Sequence, residues 1–272
     1  MPRMTPTAAL LGAPYDAASS FRRGSARAPR AIREALASKA GNSWSEGLVD
    51  TADPGVLIDA GDIALTDVNA RDAIEAGVRR VLDTGARPIV LGGDQSITYP
   101  VVRAVSRTVP RLTIVHVDAH ADLYDEFDGD RYSHACPFAR IMEEALAVRL
   151  IQVGIRTMTG HQRAQADRFG VEVIDMRAWG RGARPAIDAA EDVYLSIDMD
   201  GIDPAFAPGV SHPEPGGLTV RDVLSLIHDL PARLVAADVV ECNLDVDPTG
   251  ITSLVAAKLV KEIASQMQLF DG

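Results

Sequence analysis

The stretch Leu112–Leu123, LTIVHVDAHADL, largely decides the fold of this chain. Its first half, Leu112–Val117, is short, apolar and rich in β-branched side chains, which is typical of a strand buried in a parallel sheet. Asp118, His120 and Asp122 then alternate directly after that run. Because open α/β sheets bind ligands beyond the carboxyl ends of their strands, we expect a functional site at this turn.

The same spacing of carboxylates recurs later in the chain. Asp198 and Asp200 follow the apolar run 193–197, which also reads as a buried strand. If extended backbone continued through each polar segment, the alternating side chains would share one face, where like charges repel. Two divalent cations that share carboxylates would relieve this repulsion. A single Asp here would more often be a turn residue, so the hypothesis depends on both segments.

The amino-acid composition is typical of an ordinary globular protein. The chain has 272 residues, of which 47% are hydrophobic and 24% charged, and its net charge is −11. Nucleic-acid binding requires a basic surface, and no apolar run approaches the length of a membrane span. The two cysteines, Cys136 and Cys242, form no disulfide or zinc pattern and suit a reducing compartment. We expect a cytoplasmic protein that binds neither nucleic acid nor membrane.

Eight strand candidates alternate with helical segments. The strands are predicted at residues 8–12, 56–62, 88–91, 112–117, 149–154, 171–175, 193–197 and 233–240. Helices are predicted at 28–36, 70–82, 99–108, 133–147, 160–169, 219–230 and 251–269, while 176–190 is poorly defined. This alternation predicts an α/β fold, a three-layer α/β/α sandwich with an open, mostly parallel eight-stranded sheet in a single domain spanning 1–272.

A closed eight-stranded barrel is the alternative architecture. The open sheet is favoured because the polar residues follow only the third, fourth, seventh and eighth strands, whereas a barrel would gather the ends of all eight. Two loops follow strands of this group. Residues 124–132 are acidic and aromatic, and residues 201–217 contain four prolines and four glycines. We expect both loops to cover the site.

Three segments resemble the signatures of the ureohydrolases, the family of arginases, agmatinases and related hydrolases of guanidino groups. They are Gly92–Ser96 (GGDQS), Asp118–Asp122 (DAHAD) and Ser196–Pro204 (SIDMDGIDP). The resemblance extends over nearly the whole chain, from Gly12 to Glu241. Within the family, Ser133–Phe138 and Ala207–Leu218 are similar to the agmatinase branch.

This resemblance implies an agmatinase-like enzyme. Such an enzyme cleaves the guanidino group of agmatine or a relative to urea and an amine, using hydroxide that bridges two Mn²⁺ ions. It also implies an arginase-like fold and a homo-oligomer, a trimer or hexamer. Carried over by motif, six residues would bind metal: Gln95, Asp118, His120, Asp122, Asp198 and Asp200.

The resemblance also implies a role for each residue. Asp118 and Asp198 would bridge the two ions. His120 and Asp200 would bind the second ion and Asp122 the first. The catalytic set would be His134 as proton shuttle, Glu241 holding the guanidinium group, and Asp122.

Elementary chemistry agrees with these roles. A guanidinium carbon is a poor electrophile, so its hydrolysis needs a strong nucleophile, which water acidified by two metal ions supplies at neutral pH. Carboxylate-rich ligation suits manganese better than zinc. The ordinary pKa of a histidine such as His134 lies near working pH, and Glu241 can pair with a cationic substrate.

Gln95 departs from the family pattern, in which a histidine here binds the first metal. An amide oxygen is neutral and a weaker donor, so the first site should hold its ion less tightly. Either the enzyme works with a weak first site, or the chain is a degenerate family member that binds metal or ligand without turnover. The intact ligands favour the enzyme. A nucleotide-binding domain is a third alternative, because Gly92-Gly93 follow a strand, but its phosphate would meet several carboxylates.

Other polar residues have less specific interpretations. We expect His116 to be a core histidine and Asp203 to be a turn residue. Asp94 is expected to be a turn residue or a hydrogen-bond acceptor behind the ligands, rather than a ligand itself. His161 has no evident role, and His212 either reaches the site from loop 201–217 or is exposed. The acidic loop 124–132 favours a second cation on the substrate, such as the amine of agmatine, or is simply solvated.

Overall fold

The structure is a computed structural model that describes residues 7–66 and 69–269. Eight parallel strands form one sheet. They are β1 (Ala8–Ala13), β2 (Leu57–Asp62), β3 (Arg87–Gly92), β4 (Leu112–Val117), β5 (Arg149–Ile155), β6 (Glu172–Asp175), β7 (Asp192–Asp198) and β8 (Arg233–Val240). Their order is β2-β1-β3-β8-β7-β4-β5-β6, with β2 and β6 at opposite edges. The predicted open sheet is therefore confirmed over a closed barrel.

Helices cover both faces of the sheet. They are α1 (Ala28–Leu36), α2 (Ala70–Leu82), α3 (Thr98–Val105), α4 (Pro137–Glu143), α5 (Gly160–Phe169), α6 (Met176–Trp179), α7 (Val220–His228) and α8 (Ile251–Gln268). One hydrophobic core joins the sheet to α1, α7 and α8, and the other joins it to α2, α3 and α4. Strand β4 contributes Val115 to the first core and Ile114 to the second. Among the described helices, none has the length and apolarity needed to cross a membrane.

The strand order explains why the polar segments meet. Strands β3, β8, β7 and β4 are adjacent in the middle of the sheet, although the chain visits them as third, eighth, seventh and fourth. The chain passes from β3 across two later strands to β4, so the loops beyond their carboxyl ends diverge and leave a crevice. The third, fourth, seventh and eighth strands were those followed by candidate site residues.

Two local predictions need correction. The helix predicted over 133–147 is confined to α4, because Pro137 occupies its first turn and residues 133–136 form a separate turn closed by the Cys136 N–H donating to the Ser133 carbonyl. The undefined segment 176–190 contains α6, whose N-terminus is capped by the Asp175 side chain. The other boundaries differ from the predictions by at most three residues. The predicted domain limits, residues 1 and 272, lie outside the described residues.

Candidate active site

A cavity of about 180 Å³ opens beyond the carboxyl ends of the central strands. Six of the predicted site residues line it: His120, Asp122, His134, Asp198, Asp200 and Glu241. The rest of the lining consists of Ser20, Tyr124, Phe127, Ala135, Thr157, Thr159, Gln162 and His212. Asp118 and Gln95, which are also predicted ligands, are fully buried next to this cavity and do not line it.

The extended backbone predicted for residues 118–122, on which the alternation of side chains depended, is wrong. Strand β4 ends at Val117, and Asp122 has a φ of 48°, in the left-handed region that an L-residue seldom adopts. A turn, in which the His120 N–H donates to Asp118 Oδ1 at 2.6 Å, replaces the extended backbone. Its polar side chains reach one site because the turn folds over the strand end.

The second carboxylate pair also lies on a turn. Asp198 ends β7 and its Oδ1 accepts a hydrogen bond from the Asp200 N–H at 2.7 Å, within a short 3₁₀ turn over 199–201. A Cβ on Gly201 would lie 2.8 Å from the backbone nitrogen of Asp118. Glycine is required here because the ends of β4 and β7 approach this closely.

The two turns together offer metal donors. Asp118, His120 and Asp200 each present one ligand atom, and these atoms lie within 4.8 Å of one another. His120 Nδ1 is 3.1 Å from Asp200 Oδ2 and 3.4 Å from Asp118 Oδ1. Asp198 and Asp122 line the adjoining cavity but lie outside this group of three.

Electrostatics at this site favour a cation. Burial, with the neighbouring carboxylates, raises the pKa of Asp122 and of Asp198 well above the ordinary value, and raises that of Asp200 to about 7. Burial would lower the pKa of His120, yet the carboxylates of Asp200 and Asp118 raise it to about 12. A divalent ion among these groups would let all the carboxylates ionise together.

The chemistry of the donors fits manganese. Carboxylate oxygens with one imidazole form a hard donor set. Two buried oxygens, Gln95 Oε1 and Glu241 Oε2, have no hydrogen-bond partner within the described ranges. Buried oxygens usually accept a hydrogen bond. Because these two do not, they are available to a bound cation or a cationic substrate.

Gln95 is held in a defined orientation. Its backbone N–H donates to Glu241 Oε1 at 2.9 Å, and its Nε2 donates to Thr98 Oγ1 at 2.6 Å and to Ser196 Oγ at 3.1 Å. Because the amide nitrogen is occupied, the oxygen is the atom left unpaired. Thr98 in turn donates to Asp238, so a buried polar layer fixes this side chain below the site.

His134 and Glu241 are coupled directly. His134 Nδ1 is 3.2 Å from Glu241 Oε1, and its Nε2 is 2.8 Å from Ser20 Oγ. Burial would lower the pKa of His134, but the Glu241 carboxylate outweighs burial and raises it to about 9. His134 therefore carries a proton at neutral pH. Glu241 has a φ of 62°, and its N–H donates to the carbonyl of Gly93, which anchors it above β3.

The glycine pair before Gln95 brings two loops together. A Cβ on Gly93 would lie 1.6 Å from the carbonyl oxygen of Tyr15, a distance that no side chain tolerates. Asp94 is fully buried and caps the next turn through the Ser96 N–H, while its other oxygen accepts the Ala18 N–H at 3.0 Å. The prediction that Asp94 is a turn residue is confirmed, and its contact with residue 18 fixes the loop that carries Ser20.

The interpretation of Asp203 as a turn residue is confirmed, and that of His116 as a core histidine is confirmed in part. Asp203 accepts the N–H groups of Ala205, Gly216 and Gly217, so it closes loop 201–217. His116 is fully buried, as expected of a core histidine, but its Nε2 also lies 2.9 Å from Asp118 Oδ2. A histidine on the strand before the turn was not expected to reach the site.

His212 lies at the site rather than on the surface. Its ring centroid is 5.1 Å from that of His134 and 6.0 Å from that of His120. Burial, together with His134, lowers its pKa. The sequence left both possibilities open, because the conformation of loop 201–217 depends on contacts with distant residues, such as the Gly209 N–H donating to Thr252 at 2.7 Å.

Arg156 was missed from the sequence. Its guanidinium donates to four backbone carbonyls: those of Gly154 at 3.2 Å, Asp200 at 2.6 Å, Gly201 at 3.2 Å and Glu214 at 2.8 Å. It thereby ties the Asp200 turn to loop 201–217. Its position directly after β5 was the available signal, since residues at strand ends were the ones considered for function.

Asp125 of the acidic loop is paired with two arginines. Asp125 is 2.8 Å from Arg140 and 3.3 Å from Arg131, and it is Tyr124 and Phe127 of this loop that line the cavity. Tyr124 stacks on His161, with ring centroids 5.7 Å apart. The expected carboxylate for a second substrate cation is therefore not supplied by Asp125.

Comparisons with known proteins agree with this geometry. The model of the Arginase family matches residues 6–265. Arginase 1, mitochondrial, of Arabidopsis thaliana is 47% identical over 275 residues, which cover 95% of this chain and 80% of the relative. The structure of an arginase from Medicago truncatula gives a TM-score of 0.90 at 45% identity, covering 97% of this chain and 88% of that chain.

The predicted similarity to the agmatinase branch is not supported. A hypothetical agmatinase from Burkholderia thailandensis gives a TM-score of 0.89, covering 98% of this chain and 88% of its own, but at only 29% identity. The two segments that suggested the branch, Ser133–Phe138 and Ala207–Leu218, carry His134 and His212 of the cavity.

Proposed function

Because the chain belongs to the arginase family, whose members hydrolyse guanidino compounds, we propose that its substrate is L-arginine, cleaved to urea and ornithine. The observation that carries this proposal is the cavity in which buried carboxylates and His120 surround a space next to the protonated His134 and Glu241. A guanidinium group is the cation that such a set of groups would accept.

The proposed metal ligands are those that the family resemblance implies, and the close approach of Asp118, His120 and Asp200 supports them. Asp118 and Asp198 would bridge two Mn²⁺ ions, His120 and Asp200 would complete the second site, and Asp122 the first. Gln95 would contribute its unpaired Oε1 to the first site as a neutral donor. When bound, the ions supply a water acidified enough to act as a nucleophile at neutral pH.

The remaining chemistry belongs to side chains. Glu241 Oε2, unpaired and buried, accepts hydrogen bonds from the substrate guanidinium and orients its carbon for attack. Cleavage of the C–N bond requires a proton on the departing amine nitrogen. His134 holds that proton, because the Glu241 carboxylate keeps its imidazole charged, and delivers it as a general acid.

Arginine is preferred over agmatine for two reasons. The more similar relatives are arginases, and Asp125 of the acidic loop is already paired with Arg140. The proposal also includes a single domain, a trimer or hexamer, and a cytoplasmic location without nucleic-acid or membrane partners. Exposed apolar side chains at Phe206, Ile251 and Leu254 support assembly, and two buried free cysteines suit a reducing compartment.

Urea release tests the function. The protein is loaded with Mn²⁺ and given arginine, agmatine and 4-guanidinobutyrate, and bound metal is measured on the same sample. Turnover of arginine with two ions per chain supports the proposal. Metal binding without urea from any of the three would instead indicate the degenerate family member that binds without turnover.

A further inference from the structure

Ser20 contacts the imidazole ring that the proposed function uses as its general acid. The Ser20 hydroxyl oxygen lies 2.8 Å from His134 Nε2, and His134 Nδ1 lies 3.2 Å from Glu241 Oε1. Turning the ring over would put carbon atoms at both contacts, so these two partners fix its orientation. Ser20 lines the cavity and is exposed, whereas His134 is buried. Ser20 therefore lies at the boundary between the buried imidazole and solvent.

The two N–H groups of a charged His134 have unequal partners. Nδ1–H faces the Glu241 carboxylate, whose Oε1 also accepts the Gln95 N–H at 2.9 Å. Nε2–H faces the neutral hydroxyl of Ser20, its one hydrogen-bond partner in the part of the chain that the structure describes. A carboxylate bound to Nδ1–H retains that proton and leaves Nε2 as the nitrogen that exchanges protons. The proton that His134 releases is therefore directed at Ser20.

The loop that carries Ser20 is fixed on both sides of this residue. Before it, the Ala18 N–H donates to Asp94 Oδ2 at 3.0 Å, and the Ala18 carbonyl accepts the His134 N–H at 3.3 Å. After it, the Gly24 N–H donates to Asp16 Oδ2 at 2.7 Å. The backbone next to Ser20 is thus bonded to His134 itself, which holds the hydroxyl against the ring although Ser20 is exposed.

We propose that Ser20 is a catalytic residue that relays a proton from His134 to the departing amine. This inference rests on the proposed function and adds a residue to its proton transfer. The Nε2–H bond of His134 breaks as the proton passes to Ser20 Oγ. The original Oγ–H bond breaks as that proton passes to the amine nitrogen, whose lone pair comes from the cleaved C–N bond.

The relay leaves both side chains neutral. Ser20 ends with one hydroxyl proton, as it began, and His134 ends with its remaining proton on Nδ1, bonded to Glu241. A solvent proton then returns to Nε2 by the same route, because the Ser20 hydroxyl is in contact with both the ring and water. The exposed hydroxyl therefore also gives a buried general acid its connection to solvent.

The substitution Ser20→Ala tests the relay on two substrates with different leaving groups. With arginine, kcat should fall by about 10- to 100-fold while KM and bound manganese change little, since a positioned proton donor contributes at least that much. Canavanine is the oxyguanidino analogue of arginine, and its departing nitrogen is bonded to oxygen and is less basic. Because this nitrogen leaves more readily without a proton, kcat for canavanine should fall by less than about threefold.

The matched control is Ser19→Ala, which makes the same change at the neighbouring residue. The Ser19 hydroxyl donates to Asp94 Oδ2 at 3.3 Å and does not line the cavity, so this variant should have wild-type kinetics with both substrates. Ser20→Thr retains a hydroxyl and should keep most of the wild-type kcat for arginine. A role of Ser20 limited to loop structure would instead slow both substrates equally.

The outcomes separate this inference from the proposed function. If the wild type releases urea and Ser20→Ala keeps its kcat for arginine, or loses it equally for arginine and canavanine, the relay is overturned. Release of no urea from arginine would refute the proposed function, and nitrogen NMR of isotopically labelled His134 then tests the pairing. A shift of the Nε2 resonance in Ser20→Ala, with Nδ1 unchanged, supports the pairing, and identical spectra overturn it.

Discussion

The strand-end side of the cavity and its α5 wall carry side chains of different chemistry. The strand ends gather Asp118, Asp198 and Asp200, whose mutual repulsion and burial call for a cation. The α5 wall presents Thr157 and Gln162, whose polar side chains are neutral. The comparison teaches that the ionisable and the neutral parts of the cavity come from separate elements, so each can be altered without the other.

The largest effect is expected from Asp198→Ala. Removing a proposed bridging carboxylate should abolish binding of at least one Mn²⁺ and lower kcat by more than about 100-fold, since even partners behind a metal ligand affect affinity by 10–100-fold. Metal analysis and urea release measure the two effects. Asp192→Ala, at the other end of β7 and paired with Arg233, is the matched control. Unchanged metal content in Asp198→Ala would refute the assignment of the strand ends.

Glu241→Gln should separate substrate binding from metal binding. The variant keeps the shape of the side chain but cannot balance a guanidinium charge, so kcat/KM should fall by about 10- to 100-fold while both metals stay bound. Loss of the Glu241 charge also removes the group that raises the pKa of His134. Kinetics close to those of the wild type would exclude Glu241 from substrate binding.

Gln95→His tests whether the first metal site is weak. An imidazole nitrogen is a stronger donor than an amide oxygen, so occupancy of that site should rise by an equivalent of about 1–3 kcal/mol. Parallel manganese titrations of bound metal and urea release compare the variant with the wild type. A gain in metal with no activity in either protein would identify a degenerate binder. Identical titration curves would show that residue 95 does not touch the metal.

Arg156→Lys probes the connection between the two sides of the cavity. Arg156 follows β5, immediately before Thr157, yet its guanidinium holds the carbonyl of Asp200. A lysine keeps the charge but cannot bind these four carbonyls at once, so we expect about a tenfold loss of Mn²⁺ affinity with little change in substrate preference. Arg163→Lys, exposed on α5 and paired with Asp167, is the control. A changed preference for agmatine over arginine would show that the two sides of the cavity do not act independently.

Short sequence patterns were sufficient to predict the strands of the sheet and most residues of the candidate site. The apolar run at 112–117 and the polar turn after it are recognisable because burial demands apolar side chains and a strand end does not. The capping box Thr159-x-x-Gln162 was equally available, since its hydrogen bonds lie within four residues. The extended backbone expected over Asp118–Asp122 was mispredicted, because the chain leaves the strand conformation after Val117 and folds into a turn.

By itself, the sequence determined the alternation of strands and helices and the polar residues that follow particular strands, because burial and turn chemistry act over a few neighbouring residues. Only the tertiary structure decided that β3, β8, β7 and β4 are adjacent, that His212 lies beside His134, and that Arg156 supports Asp200. These contacts join residues that are distant along the chain. They depend on strand order and on backbone carbonyls, which every residue carries and no sequence pattern distinguishes.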